Sequence, residues 1–355
     1  MTGVRVLLTG AAGFIGSHIR RELEDAGHEV ASLDLMLPAA HGPSAPPPEG
    51  VARVDVRDGA ALDAALHGID VVCHQAAVVG AGVSAQDAPA YASHNDFGTA
   101  VLLAAMDRAG CRRLVLASSM VVYGEGRYRG EGRGPVDVNV RRTADLDAGM
   151  FEHRCPDTGQ ALTWASVHED APLRPRSLYA ASKLAQENYA AAWAAVTGSQ
   201  VTALRYHNVY GDDMPRDTPY SGVAAIFRSA LEAGQPPQVY EDGRQARDFV
   251  HVTDIAAANR AAIEQPLPGF VPLNISSGRP ITIGEVATTL AAARGGPDPV
   301  VTGRYRPGDV RHIVADPDRA RRALGFAAQV DPIDGLTRFA FAPLRDSAGT
   351  LAPTF

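Results

Sequence analysis

Two residues in the stretch "LYAASKLAQE", Tyr179 and Lys183, have side chains and a spacing suited to proton transfer. Positions i and i+4 of a helix lie on one face, so both side chains would reach the same site. A free phenol has a pKa of about 10 and is a poor base at neutral pH. A nearby ammonium group stabilises the phenolate and lowers that pKa, so the oxygen can take a proton from a substrate hydroxyl. Such a pair is also common by chance, and other motifs must decide between catalysis and an ordinary surface pair.

A second stretch, "LVLASSMVVYG", ends an apolar run with two serines, Ser118 and Ser119. These serines are either turn residues or hydroxyls that contact a substrate. The next two side chains, Met120 and Val121, are unable to transfer a proton. The stretch therefore bears on which reaction a site at this point could support.

The stretch "TGAAGFIG" places Gly10, Gly13 and Gly16 between a β-rich run and a helical pattern. Glycines at this spacing allow a tight turn, close approach of a pyrophosphate and close helix–sheet packing. The helix N-terminus favours the negative charge of the pyrophosphate. Asp34 follows at the end of the second β-rich run, where a carboxylate can accept hydrogen bonds from ribose hydroxyls and repel a 2′-phosphate. These residues predict an NAD site rather than an NADP site, with a solvated loop acid as the alternative for Asp34.

Composition and charge argue against several classes of protein. Hydrophobic residues make up 46% of the 355 residues and the formal net charge is −7, which gives no electrostatic support for nucleic-acid binding. Two of the three cysteines, Cys73 and Cys111, lie in apolar runs, so a disulfide framework is not expected and a reducing cytoplasm is. No apolar run reaches the ~20 residues that a spanning helix requires. We interpret the apolar N-terminus as the first strand of the fold rather than as a signal peptide.

The order of predicted elements favours an α/β fold. Strands such as "VRVLLTG" and "IDVVCHQAA" alternate with helical patterns such as "FIGSHIRRELEDAG", which predicts βαβ units and a parallel sheet buried on both faces. Residues 38–50 are proline-rich and predict a loop. Residues 125–172 show no convincing helix or strand, which predicts either a disordered segment or a functional lid. From about Pro215 the alternation weakens, which indicates a smaller lobe.

Taken as an ordered set, the motifs resemble a known family. The glycine loop, Asp34, "ASSMVVYG", "YAASK", "LRYHNVYG" and "RDFVHVTDIA" resemble the extended short-chain dehydrogenase/reductases, in particular the nucleotide-sugar epimerases. The resemblance runs from Val4 to about Leu336. It implies a Rossmann-type doubly wound parallel sheet that binds NAD, and a smaller C-terminal α/β lobe that binds a nucleoside diphosphate sugar. We place these domains at 1–210, with the insertion 125–172, and at 211–340, partly interleaved, followed by a tail at 341–355.

The resemblance also implies roles for individual residues. The catalytic set would be Ser119, Tyr179 and Lys183, with Tyr179 and Ser119 also touching substrate. Lys183 would bind the nicotinamide ribose, and the oxidised nicotinamide would add its positive charge to the lowering of the Tyr179 pKa. The implied cofactor-binding residues are Gly10, Gly13, Phe14, Ile15, Gly16, Asp34, Asp55, Val56, Ala76, Ala77, Asn95, Ser118, Tyr179, Lys183 and Tyr206.

Some of these assignments have alternatives. Asp55 would meet the adenine edge, but an N-cap or turn role is nearly as plausible. Asn95 would order the backbone near the cofactor, and His74 would lie with Ala76 and Ala77 in a loop that covers it.

For the substrate, the resemblance implies that Asn208 touches the sugar diphosphate and that Arg247 and Arg306 hold its pyrophosphate. Arginine suits this role because its planar fork makes paired, charge-assisted bonds to phosphate oxygens. For His251 and Asp254 we expect structural roles, and for His207 a packed rather than a catalytic one.

Several reactions share this scaffold, and all begin by oxidising the sugar, usually at C4. Dehydratases of the family typically carry Asp and Glu after the catalytic hydroxyl, whereas this chain carries Met120 and Val121, which disfavours dehydration. A C4 epimerase needs only a transient 4-keto sugar and the return of hydride to the other face. A 4-ketoreductase or decarboxylase remains open, as does a non-catalytic NAD-binding scaffold.

The insertion resembles that of epimerases acting on dTDP-6-deoxyhexoses, which suggests a dTDP- or UDP-linked (6-deoxy)hexose. Members of that group often carry paired cysteines there, but this chain retains Cys155 alone, with Thr158 in the place of its partner, so we expect no metal. From the cysteine usage we expect a cytoplasmic protein, and the resemblance implies a homodimer, which the Ala- and Leu-rich helices containing Asn95 and Tyr179 fit.

Overall fold

The computed structural model describes residues 3–42, 44–80, 84–132, 134–216 and 222–345. The predicted tail is thus described only as far as Arg345, and its remainder lies outside the described residues. The strands are β1 (Arg5–Thr9), β2 (Glu29–Asp34), β3 (Val51–Arg53), β4 (Val71–His74), β5 (Arg113–Ser119), β6 (Arg127–Arg129), β7 (Pro135–Val136), β8 (Thr163–Ala165), β9 (Gln200–Tyr206), β10 (Asn208–Tyr210), β11 (Met214–Pro215), β12 (Gln238–Val239), β13 (Ala246–Arg247), β14 (Phe249–His251), β15 (Phe270–Ile275), β16 (Ile281–Thr282), β17 (Val300–Val301) and β18 (Leu344–Arg345).

The helices alternate with these strands over most of the chain. They are α1 (Phe14–Asp25), α2 (Pro38–His41), α3 (Gly59–Ala65), α4 (Ala88–Tyr91), α5 (Gly98–Ala109), α6 (Thr143–Asp147), α7 (Leu178–Thr197), α8 (Val223–Glu232), α9 (Val252–Glu264), α10 (Ile283–Arg294), α11 (Asp318–Leu324) and α12 (Pro332–Phe339). A π-helical segment, Ala92–Phe97, joins α4 to α5, and a 3₁₀ turn, Met120–Tyr123, follows β5.

A seven-stranded sheet in the order β15-β9-β5-β4-β1-β2-β3 forms the centre of the molecule. Every pairing in it is parallel. Successive residues of β1 face opposite sides, so Leu8 packs with Ile19 and Leu23 of α1, whereas Leu7 packs with Leu102 of α5. Burial on both faces is what the near-continuous apolar runs predicted. The expected Rossmann-type, doubly wound α/β architecture is confirmed.

A smaller lobe contains α8, α10 and α12 around its own apolar core. Its core includes Phe227, Leu290, Leu336 and Phe339. The chain after residue 210 does not stay in this lobe, because β15 adds the outermost strand of the main sheet beside β9 and α9 packs against α1. A boundary at 210/211 therefore assigns β15 and α9 to the second domain, although both pack against the first, which is the interleaving that we expected.

The prediction that residues 125–172 lack helices and strands is wrong. This insertion contains α6 and a three-stranded antiparallel sheet in the order β7-β6-β8. Tyr128, Cys155 and Leu162 form a small core beneath it. Its strands are only two or three residues long, which is too short to show the alternation by which a strand is recognised in a sequence.

The predicted loop at 38–50 also contains a single helical turn, α2. The three cysteines are buried thiols, and none of the described helices combines the length and apolarity needed to cross a membrane.

Candidate active site

The carboxyl ends of the central strands open into a cavity of about 720 Å³. It lies at the β1/β4 crossover point of the sheet, where the strand order reverses and where open α/β folds bind ligands. The lining includes most of the residues predicted for the cofactor: Gly10, Gly13, Phe14, Ile15, Gly16, Asp34, Val56, Ala76, Ala77, Ser118, Tyr179, Lys183 and Tyr206.

The glycine loop has the close approaches that its spacing predicted. Gly10 has φ +71°, and a Cβ there would lie 2.7 Å from the Ala76 nitrogen. A Cβ on Gly16 would lie 2.0 Å from the Gly10 carbonyl oxygen. Gly13 is the N-cap of α1 and provides no side-chain cap, so the first N–H groups of the helix are available to an anion.

Asp34 ends β2 and is only 8% exposed. Its carboxylate accepts hydrogen bonds from Ala12 N at 3.1 Å and Met36 N at 2.8 Å, and His41 Nε2 lies 3.4 Å away. Burial opposes ionisation of Asp34, but the hydrogen bonds from His41 and these backbone groups outweigh it and lower its pKa. Asp34 is therefore an oriented, ionised carboxylate at the cavity wall rather than a solvated loop acid. The contact with His41, which also lines the cavity, was missed from the sequence because it depends on how α2 folds back.

Ser119, Tyr179 and Lys183 meet in this cavity. Ser119 ends β5, while Tyr179 and Lys183 lie in the first two turns of α7. Ser177 caps α7 by accepting a hydrogen bond from Ala180 N at 3.1 Å, which starts the helix just before Tyr179. The predicted i,i+4 geometry is confirmed.

The surroundings of Tyr179 shift its pKa. Burial raises the pKa of the Tyr179 phenol, neighbouring Tyr91 adds to this effect, and a hydrogen bond with Ser119 opposes it. The Lys183 ammonium nitrogen donates a hydrogen bond to the Ala117 carbonyl oxygen at 3.0 Å. In the protein alone, burial therefore favours the protonated phenol, and the lowering of the Tyr179 pKa by Lys183 together with oxidised nicotinamide stays a prediction.

Lys183 is itself perturbed. Burial lowers its pKa from 10.5 to about 8, although the Glu187 carboxylate favours the charged form. A lysine with a pKa near neutrality, in a cavity that also contains a tyrosine and a serine hydroxyl, is typical of a catalytic site.

Two buried polar residues next to the cavity, Asn95 of the π-helical segment and His74 of β4, do not line it. Asn95 is buried, accepts from Val78 N at 2.7 Å and donates to Val78 O and the Ser182 hydroxyl. It orders the backbone beside the cavity, as expected, without lining the cavity.

His74 does not belong to a covering loop: it ends β4, is buried, and hydrogen-bonds Thr9 and Thr99. Burial lowers the pKa of His74 to about 3, so it is neutral.

The two serines have different partners. The Ser118 hydroxyl donates to buried Glu187, which also forms an ion pair with buried Arg205 at 2.7 Å. Ser119 has no such buried anchor: its hydroxyl accepts a 3.4 Å hydrogen bond from Val121 N and faces Tyr179. Ser119 is thus the hydroxyl available to a substrate. Met120 lines the cavity beside it, whereas Val121 does not.

Asp55 lies outside the cavity. Both of its oxygens accept hydrogen bonds from the Arg57 side chain, and one also accepts from Arg57 N at 2.9 Å. A turn role, the alternative for this residue, fits these contacts better than contact with adenine.

Of the three residues predicted to bind the substrate diphosphate, two line the cavity and one does not. Asn208 and Arg306 line the cavity. The Asn208 side-chain oxygen is buried without a hydrogen-bond partner among the described residues, and the Arg306 guanidinium lies 5.2 Å from the centre of the Tyr240 ring. Arg247 does not line the cavity, because it donates to the carbonyl oxygens of Ala246, Val310 and Arg311. Its contacts make it a support for the 310–311 backbone and do not favour the expected role on pyrophosphate.

The three other polar residues considered for the site have structural surroundings. His207 lines the cavity but is buried against Asn274, and burial lowers its pKa to about 3. His251 caps α9, and Asp254 accepts from Gln329 N and Val330 N. These surroundings match the expectation of packed or structural roles.

A buried ionic network joins the insertion to the substrate lobe and was not foreseen from the sequence. Arg311 is fully buried and contacts Glu152 of the insertion and both Glu241 and Asp242 of the lobe. Arg141, also of the insertion, forms an ion pair with Glu241 at 2.7 Å. This network fixes the insertion against the segment that carries Arg306. Among the described residues no cluster of three potential metal ligands occurs.

Comparison with known proteins gives the family. The model described as "NAD dependent epimerase/dehydratase family" matches residues 6–140 and 158–276. The chain belongs to this family. It is 32% identical to the dTDP-L-rhamnose 4-epimerase of Burkholderia thailandensis over 336 residues, which is 92% of this chain and 91% of the relative. It is 30% identical to the UDP-glucose 4-epimerase of Azospirillum brasilense, over 95% of this chain and 91% of the relative.

Solved structures of this family share the fold. The UDP-glucose 4-epimerase of Thermus thermophilus, solved in complex with NAD, has a TM-score of 0.73 and 32% identity, covering 95% of this chain and 97% of that one. MoeE5, solved with UDP-glucuronic acid and NAD, has a TM-score of 0.74 and 31% identity, covering 94% and 98%. The glycine cradle, the free helix N-terminus and the ionised Asp34 fit NAD, the cofactor of the family.

Proposed function

We propose that this enzyme is an NAD-dependent nucleotide-sugar 4-epimerase. The observation that supports this most directly is the charge distribution of the cavity, in which Asp34 is the only carboxylate among the described lining residues. Asp34 lies at the end of β2 and not beside Ser119, so no carboxylic acid in the described part of the cavity accompanies the hydroxyl of Ser119. Met120, which follows Ser119, is unable to transfer a proton.

Elimination of water from the sugar requires a second acid–base pair, which this cavity does not provide among its described residues. Epimerisation requires only removal of the C4 hydroxyl proton, a transient 4-keto sugar, and return of the proton after reduction on the opposite face. NAD, when bound, supplies the hydride acceptor and donor and a positive charge in its oxidised form.

In this reaction the roles divide among three residues. Ser119 donates a hydrogen bond to the C4 oxygen and polarises it. Tyr179 takes the proton of the C4 hydroxyl and later returns it. Burial raises the pKa of Tyr179, so in the protein alone this residue is a phenol. The positive charge of oxidised NAD would favour the phenolate. Lys183, anchored to Ala117 O, holds α7 at a fixed distance from β5.

For the substrate we propose a dTDP- or UDP-linked (6-deoxy)hexose. Asn208 and Arg306 line the cavity and are the residues we assign to its diphosphate, since the Asn208 Nδ2 group and the Arg306 guanidinium are both donors to phosphate oxygens. The named activities of the Burkholderia and Azospirillum relatives support both nucleotide classes.

For assembly and location we propose a cytoplasmic homodimer. Phe97, Tyr189 and Val196 lie on the helical segments around Asn95 and Tyr179 and are 56%, 49% and 87% exposed, an apolar exposure that pairing of two copies would cover. The three buried thiols fit a reducing compartment. Light scattering of the purified protein tests the dimer.

One experiment tests the function. The purified protein is incubated with UDP-, dTDP-, GDP- and CDP-sugars in deuterated water, and the products are analysed by NMR. We expect inversion at C4 without solvent deuterium at C3 or C5. Deuterium at C5, or loss of water or carbon dioxide, contradicts the proposal. Net reduction of a 4-keto sugar by NADH would show a ketoreductase instead, and absence of turnover on every sugar would favour a non-catalytic scaffold.

A further inference from the structure

Arg345 lies in the cofactor cavity, although it comes from the far end of the chain. It belongs to β18, which pairs in parallel with β11. Two backbone hydrogen bonds hold this short pair in place, from Asp213 N to Pro343 O and from Arg216 N to Arg345 O, both 2.9 Å long. The Arg345 guanidinium then reaches the glycine loop and donates from Nη1 to the Ala12 carbonyl oxygen at 2.5 Å.

The charge of Arg345 is incompletely compensated. Burial lowers its pKa, while Asp213 and Asp34 favour its charged form from a distance. Among the described residues no carboxylate forms an ion pair with it: Asp213 pairs with Arg21 at 3.2 Å, and both Asp34 oxygens accept backbone N–H groups. Burying a cation without a counter-ion costs free energy, which an anionic ligand would recover.

The position of the Arg345 guanidinium indicates which anion it would bind. Ala12 lies within the glycine loop, between Gly10 and Gly13, and directly precedes the uncapped N-terminus of α1. A pyrophosphate bound there meets the helix N–H groups and dipole on one side. A guanidinium fixed to Ala12 O has further N–H donors for phosphate oxygens on another side.

We propose that Arg345 binds the pyrophosphate of NAD, so that strand β18 closes the cofactor site. The proposal rests on the proposed function only for the presence of NAD in this cavity. It gives the C-terminal segment a role in retaining the cofactor, which a reaction that returns its hydride to the same sugar requires. In the sequence Arg345 belongs to no motif.

Isothermal titration calorimetry on nucleotide-free protein tests this proposal with NAD, NADP, ADP-ribose and adenosine. Arg345→Gln is compared with wild type and with the matched control Arg21→Gln, which removes a cation near Asp213 but outside the cavity. Circular dichroism and thermal melting of the nucleotide-free variants verify the fold. Because the charge-assisted bonds are lost, we expect Arg345→Gln to bind NAD and ADP-ribose about tenfold or more weakly.

Adenosine binding should stay unchanged, Arg21→Gln should remain within about twofold of wild type, and Arg345→Lys should recover part of the loss because it retains the charge. The fraction of Arg345→Gln purified with NAD should fall in parallel. Equal ADP-ribose affinity in wild type and Arg345→Gln would overturn the proposal. A selective loss of NADP affinity would also overturn it, because the guanidinium would then read a 2′-phosphate. Wild-type protein that binds no NAD at all would instead contradict the proposed function.

Discussion

The ammonium nitrogen of Lys183 lies 3.0 Å from the backbone carbonyl oxygen of Ala117. Ala117 belongs to β5, the strand that ends at Ser119, and Lys183 belongs to α7, the helix that carries Tyr179. This hydrogen bond therefore joins the two elements that supply the catalytic groups, as does the bond from Ser118 to Glu187. The bond to Ala117 O makes Lys183 a positioning residue as well as a source of positive charge.

Replacement of Tyr179 by Phe removes the proton acceptor and keeps the ring, whose centroid lies 5.9 Å from that of the Tyr91 ring at a tilt of 49°. We expect turnover to fall by about 10²- to 10⁴-fold, the usual contribution of a positioned acid–base group. NAD affinity should change little. Turnover measured by NMR and NAD affinity measured by calorimetry check the two parts, and a Phe variant with near wild-type turnover would exclude Tyr179 as the acid–base group.

The free energy of unfolding should depend on pH through Lys183. Its folded pKa is about 8 against an ordinary value of 10.5, so between these values the unfolded chain binds the extra proton. Stability contributed by this group is therefore lowest below pH 8 and rises as pH rises toward 10.5. Lys183→Met removes the penalty and should stabilise the nucleotide-free protein by up to ~3 kcal/mol at about pH 7.

This gain over wild type should shrink steadily as the pH rises from about 8 toward 10.5. Urea unfolding of both proteins at several pH values measures it, because titrations of other groups cancel in the difference. A gain that is independent of pH would show that the pKa of Lys183 is not lowered in the folded state.

Asp34 and Asp55 provide a matched pair of carboxylates for the cofactor site. Asp34 lines the cavity, whereas Asp55 is bound to Arg57 outside it. We expect Asp34→Ala to weaken NAD binding about tenfold and to reduce the preference for NAD over NADP, because hydrogen bonds to the ribose and repulsion of a 2′-phosphate are both lost. Asp55→Ala should leave NAD affinity within about twofold. If calorimetry showed that Asp55→Ala weakens NAD binding and Asp34→Ala does not, Asp55 and not Asp34 would contact the cofactor.

Removal of Arg311 should destabilise the protein strongly. Its fully buried guanidinium pairs with Glu152, Glu241 and Asp242, so Arg311→Met breaks three ion pairs at once, at a cost of about 3 kcal/mol, although Arg141 still pairs with Glu241. The exposed pair Arg174–Asp137 gives the comparison, since Arg174→Met should cost at most about 1 kcal/mol. Denaturant unfolding measures both variants, and equal losses would show that the network does not hold the insertion to the lobe.

The sequence alone was sufficient for features that depend on neighbouring residues. The glycine spacing, the alternation of strands and helices and the i,i+4 pair of Tyr179 and Lys183 are all local, and the fold and the family that they predicted are confirmed. The same holds for Asp34, whose position after the second strand places it at the cavity because parallel strands end at one edge of the sheet.

Only the tertiary structure decided features that join distant parts of the chain. Arg345 meets Ala12, Arg311 meets Glu152, and Arg247 is bound by carbonyl oxygens more than sixty residues away or adjacent to it. No sequence pattern marks such contacts, because they depend on how separate elements pack. The raised pKa of Tyr179 has the same origin, because burial is a property of the assembled cavity.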